Sequence, residues 1–89
     1  MDFITENSRI YVEDESGKTI AEITFEEIEK GIFNINHTFV DEILRGQGVA
    51  SKLVEAAVNE IKQRGGQVQA TCSYAKKWLE KNSENDLTK

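Results

Sequence analysis

A chain of 89 residues permits one compact domain and leaves no room for a second core. With 38% hydrophobic and 30% charged residues, six glycines and no proline, the composition is globular and excludes a disordered chain. A formal net charge of −5 sets the surface against nucleic acid and anionic membrane, yet Arg45, Lys52, Lys62, Arg64, Lys76, Lys77 and Lys81 gather in the second half, where a small phosphorylated partner can be attracted.

Ile10 and Val12, then Ile20, Ile23 and Phe25 beyond the turn from Glu13 to Gly17, are spaced for an N-terminal hairpin. The run Thr19 to Phe25 is mostly β-branched or aromatic, Gly31 interrupts it, and Ile32 to Val40 reads as a third strand. Simple alternation places Phe33, Ile35, His37 and Phe39 on one face of that strand, so His37 is expected to share the apolar side. After a glycine-containing loop, Val49, Leu53, Ala56, Ala57, Glu60 and Ile61 fall at helical spacing, and Gly65-Gly66 ends the helix. Val68, Ala70 and Cys72 then alternate as a short strand, and Tyr74, Ala75, Trp78 and Leu79 mark a last short helix. The polar tail, from about residue 83, is expected to be disordered. The expected fold is one α+β (α/β-like) domain: a mixed, mostly antiparallel sheet with two helices, its third and last strands joined in parallel by a crossover.

Cys72 stands alone, so the chain forms no internal disulfide and offers no zinc-binding set; no metal site is expected. No apolar run approaches the ~20 residues of a membrane helix, and the start lacks the order of a signal peptide, which makes a cytoplasmic location the expectation.

The loop between the third strand and the long helix carries the chemistry. A helix start leaves N–H groups unpaired and bears partial positive charge, so it seats an anion. Gly46 and Gly48 let the backbone approach a phosphate, Arg45 adds a charged donor, and Ser51 and Lys52 lie in the first turn. Neither the dinucleotide fingerprint nor the Walker loop is satisfied, since Ser51 stands where a third glycine belongs and no Gly-Lys-Ser or Gly-Lys-Thr occurs. By spacing alone the segment reads equally as a tight turn without ligand.

Arg45-Gly46-Gln47-Gly48-Val49-Ala50 resembles the R/Q-x-x-G-x-G/A acetyl-CoA motif of the GNAT superfamily of N-acetyltransferases. Asn36 to Val40, Leu44 to Val54 and Cys72 to Leu79 are similar to its minimal YjdJ-like branch, a likeness that spans residues 10 to 82. The resemblance implies a truncated GNAT fold that binds acetyl-CoA. The pyrophosphate lies on the loop backbone, the pantetheine along the strand near Phe39 and Val40, and Leu44 is among the cofactor contacts; Lys76 and Lys77 are read either as meeting the cofactor's phosphates or as solvated surface lysines. It also implies an amine acceptor of unidentified kind, and an open acceptor site, because Glu13 to Lys18 is only a turn. A monomer or weak homodimer is expected.

Three side chains are candidates for the transfer. His37, the sole histidine, is a candidate because imidazole is the side chain suited to general-base work near neutrality, and it reads also as a packed ring. Cys72, at a helix start, is placed for a lowered pKa and could accept an acetyl group or relay a proton; free cysteines are also ordinary buried hydrophobes. The resemblance puts Cys72 opposite the thioester, and it gives Tyr74 the role of protonating the departing thiolate, beside a plain packing alternative. Two other readings stand: a non-catalytic CoA or acyl-CoA-binding module, and an interaction domain whose loop binds nothing.

Overall fold

The computed structural model describes residues 2–82; the expectation for the tail lies outside them. The elements follow in the order β1 (Ile4–Thr5), β2 (Arg9–Glu13), β3 (Thr19–Glu29), β4 (Ile32–Val40), a 3-10 turn (Glu42–Leu44), α1 (Val49–Gln63), β5 (Gln67–Ala70) and α2 (Ser73–Asn82). They build one five-stranded sheet in sequence order, antiparallel from β1 to β4 and parallel between β4 and β5. The mixed, mostly antiparallel sheet with two helices is therefore as expected, with β1 added at the edge and β3 four residues longer.

Turn chemistry sets the first hairpin. The Asp14 carboxylate accepts from Ser16 N–H at 2.9 Å and Lys18 N–H at 3.0 Å, closing the reversal between β2 and β3. One face of the sheet is apolar. Ile10, Val12, Ala21, Ile23, Phe25 and Ile35 are buried there against Val49, Leu53, Val54, Ala57, Val58 and Ile61 of α1, with Ala75 and Leu79 of α2 closing the core. The stripe of α1 also takes in Val54 and Val58, with Ala56 partly buried against the core, while Glu60 holds Arg64 at 2.9 Å. Gly66 allows a close approach: a Cβ there would lie 2.6 Å from the Phe33 ring and 3.2 Å from Ile61.

A β-bulge corrects the expected faces of β4. Thr24 pairs with His37 and Phe25 with Ile35, so Asn36 is an extra residue that reverses the alternation beyond it. Phe33 and Ile35 face the helices before the bulge; Thr38 and Val40, opposite the buried Ile23 and Ala21, face them after it. His37, opposite Thr24, is exposed on the other face, and Phe39 beside it is 40% exposed. The apolar setting foreseen for His37 is thus absent.

Candidate functional site

The site begins where β4 and β5 part. Only Ile32 to Ile35 of β4 pair with β5. Beyond them Thr71 and Cys72 N–H both donate to Ile35 C=O, at 3.0 and 3.2 Å, and the chain turns into α2, so β5 ends two residues before Cys72. Asn34, buried beside this fork, donates to Thr71 Oγ1 at 3.0 Å and pins it. On the other edge of β4, Asp41 N–H donates to Ile20 C=O at 2.8 Å, which makes that pair a hydrogen-bonded one. By antiparallel alternation Phe39 and His37 also direct their backbone groups to β3, leaving those of Thr38 and Val40 turned toward the opened side.

The start of α1 faces the same opening. Gly48 is the N-cap at φ 72° and ψ 18°, with no side-chain cap and no acid in the first turn. The first i to i−4 bond is Lys52 N–H to Gly48 C=O at 3.1 Å, so the N–H groups of Val49, Ala50 and Ser51 lack intrahelical partners. Gly46 also has a positive φ, and space is open within 4 Å of a Cβ at either glycine. Arg45 makes no ion pair among the described residues. Unpaired donors, helix dipole and free guanidinium make a seat for a multivalent anion.

A cavity of about 430 Å³ joins these features. Thr38 and Val40 form its strand wall, Leu44, Arg45, Gly46, Gly48, Val49, Ala50 and Ser51 its loop and helix wall, and Tyr74 its rim. Among the residues singled out from sequence, Phe39, Gln47, Lys52, Cys72 and Lys76 are not in its lining. Phe39 is on the far side of the sheet, and Gln47 Nε2 turns back to Ile43 C=O at 3.4 Å. His37 is separated from the cavity by the sheet itself.

Cys72 lies at the closed end of the fork. Its Sγ is 3.4 Å from Thr38 Oγ1, and its carbonyl accepts from Lys76 N–H at 2.9 Å as the first bond of α2. Burial pushes the thiol pKa up, but hydrogen bonds from the Thr38 hydroxyl and from the N–H groups of Ala75, Tyr74 and Thr38 outweigh it, leaving the pKa below the ordinary value. That the Thr38 N–H reaches this sulfur agrees with its turning away from β3. Thr38 was invisible to simple alternation, because only the bulge at Asn36 brings it to this face.

Comparison with known proteins gives the fold relatives. The sequence matches the model of the GCN5-related N-acetyl-transferase family over residues 9–87. Protein NATD1 of Gallus gallus is 31% identical over 62 residues, which cover 70% of this chain and 56% of that protein. Protein NATD1 of Homo sapiens is likewise 31% identical, over 70% of this chain and 55% of its own length. The chain thus spans a little over half the length of these curated relatives. A solution structure of a GCN5-like protein from Staphylococcus aureus superposes with a TM-score of 0.78 at 34% identity, covering 99% of this chain and 87% of that one. A GNAT family N-acetyltransferase of Escherichia coli, solved in complex with CoA, shares the fold at a TM-score of 0.62 and 24% identity, over 70% of this chain and 38% of its own.

Proposed function

The chain belongs to the GCN5-related N-acetyltransferase family, and on that footing we propose that it binds acetyl-CoA and transfers the acetyl group to an amine. The observation that carries the reading is the uncapped start of α1, which opens into a cavity beside the unpaired side of β4.

The residues present fit the cofactor. The N–H groups of Val49, Ala50 and Ser51, with Arg45, hold its pyrophosphate, and open space at Gly46 and Gly48 admits it. The Val40 main chain and the Thr38 carbonyl, turned to the opened side, hydrogen-bond the amides of its pantetheine arm as an added strand would. When bound, acetyl-CoA supplies an activated thioester carbonyl to a neutral amine. Cys72 Sγ, its pKa lowered, is the base that takes the proton of the amine, and Tyr74 Oη at the cavity rim gives a proton to the departing sulfur. The role first considered for His37 passes to Cys72, because His37 stands on the opposite face. The acceptor side is open, since only the Asp14 turn joins β2 and β3.

Titration with acetyl-CoA followed by amide chemical shifts tests the reading. Signals from Arg45 to Lys52, Thr38 and Val40 should move together; a loop whose signals stay fixed at saturating cofactor ends it. The exposed position of His37 favours a second reading, a CoA-binding module without turnover. CoA release that depends on added amine separates the two.

A further inference from the structure

Asn34 is the one non-hydrophobic side chain buried among the described residues, at 7% exposure. Its Nδ2 donates to Thr71 Oγ1 at 3.0 Å, while its Oδ1 is sealed from solvent with no partner among the described residues. A buried acceptor without a donor carries the whole cost of its desolvation, so an apolar residue here would make the more stable sheet. Asparagine is also depleted in strands. A local rule broken in this way points to function rather than to stability.

Asn34 lies between Phe33 and Ile35, which face the helices, so its side chain is on the uncovered face of the sheet, and Thr71 meets it there. The next residue, Cys72, turns to the helix side, where its Sγ is 3.4 Å from Thr38 Oγ1. The main-chain N–H groups of Thr71 and Cys72 converge on one acceptor, Ile35 C=O. Both residues lie beyond Ala70, the last paired residue of β5, so the ladder does not fix their rotation. Turning this segment would swing Cys72 away from Thr38, and two side-chain contacts, one on each face, resist the turn. Resting on the acetyl-CoA reading, in which Cys72 is the base, we propose that Asn34 is a positioning residue for the transfer. Its hydrogen bond to Thr71 on the uncovered face holds the Cys72 thiol against Thr38 on the other. Asn34 is not in the lining of the cavity and acts only through Thr71.

Alkylation of Cys72 by iodoacetamide across a pH series, read beside urea unfolding of the full chain, separates positioning from plain stability. Thr71→Val leaves the buried amide with no partner and should lower the urea midpoint, whereas Asn34→Val removes the buried polar atoms and should hold or raise it. Both should raise the alkylation midpoint toward its value in the urea-unfolded chain, so the thiol does not track stability. The double variant should move it no further than either single one, as for two ends of one contact. Thr71→Ser keeps the hydroxyl and should keep the wild-type midpoint. Tyr74 and Lys76 of α2, Arg45 and Lys52 by the start of α1 and His37 of β4 are unaltered in every variant, so a shift reports geometry and not a lost charge. With acetyl-CoA and an amine, Thr71→Val should lower kcat for CoA release about tenfold, as for a displaced base, and keep KM for acetyl-CoA. Thr71 is exposed, so its pair of variants decides the question even where Asn34→Val fails to fold. A wild-type alkylation midpoint in Thr71→Val overturns the proposal, as does a shift that Thr71→Ser reproduces. A wild-type chain that releases no CoA overturns the transfer reading instead, and the alkylation series still decides whether Asn34 holds the thiol.

Discussion

At the scale of single residues, opposing influences meet on Cys72: burial disfavours its thiolate, while the Thr38 hydroxyl and three backbone N–H groups favour it and win. A thiol is an acid, and its folded pKa here lies below its unfolded one. These hydrogen bonds therefore stabilise the fold above the unfolded pKa, and that contribution is lost as pH falls through the depressed folded value. Thr38→Val removes the hydroxyl at nearly constant volume and should move the midpoint of Cys72 alkylation by iodoacetamide to higher pH, whereas Thr38→Ser should keep it. An unchanged midpoint in the valine variant would show that the 3.4 Å contact has no bearing on the thiol. Gly66 is a site of a different kind. Its backbone is not left-handed; an added methyl would meet the Phe33 ring at 2.6 Å. Gly66→Ala should cost about 1–3 kcal/mol by overpacking, read as a lower urea midpoint, and the folded fraction should bind cofactor normally.

At the scale of elements, much of the fold was legible because each piece announces itself locally. The β-branched run of β3, the glycines flanking α1 and the heptad-like spacing of α2 all lie within short windows of sequence. What escaped was the extra residue in β4. Asn36 lies within Ile35-Asn36-His37 with no glycine or proline to mark a bulge, and its being left out of the ladder, between Ile35 opposite Phe25 and His37 opposite Thr24, depends on the neighbouring strand. One uncounted residue moved His37 and Phe39 away from the site and brought in Thr38. The glycine loop shows the reverse case: its place in the site was legible, but its conformation was not. Gly48 at φ 72° is left-handed, so Gly48→Val should cost about 1–2 kcal/mol of stability as well as cofactor affinity. Asparagine tolerates that conformation, and Gly48→Asn should largely restore the melting temperature while its side chain still obstructs the anion seat. If Gly48→Asn binds acetyl-CoA as the wild type does, the loop is not the seat.

At the scale of the whole molecule, one face of one sheet carries nearly all the stability. Leu53 is fully buried in that layer, and Leu53→Ala should cost about 2–5 kcal/mol. Small domains hold only about 5–15 kcal/mol in total, so urea unfolding of this variant should begin at the lowest denaturant concentrations. The opposite face has no covering helix among the described residues, and there the Arg9 guanidinium lies 3.6 Å from the Tyr11 ring centre and 2.7 Å from Glu22, the main order on that side. This division of labour, a core on one side and an uncovered sheet on the other, puts the cavity of the candidate site at the boundary between the sheet and α1.

The indole of Trp78, anchored on Ser51, gives that boundary an optical reporter. It is the sole tryptophan of the chain, so tryptophan fluorescence comes from one known place beside the first turn of α1. A nucleotide arriving beside it should quench or shift that emission without any label, and a stopped-flow trace of the signal would time ligand entry directly.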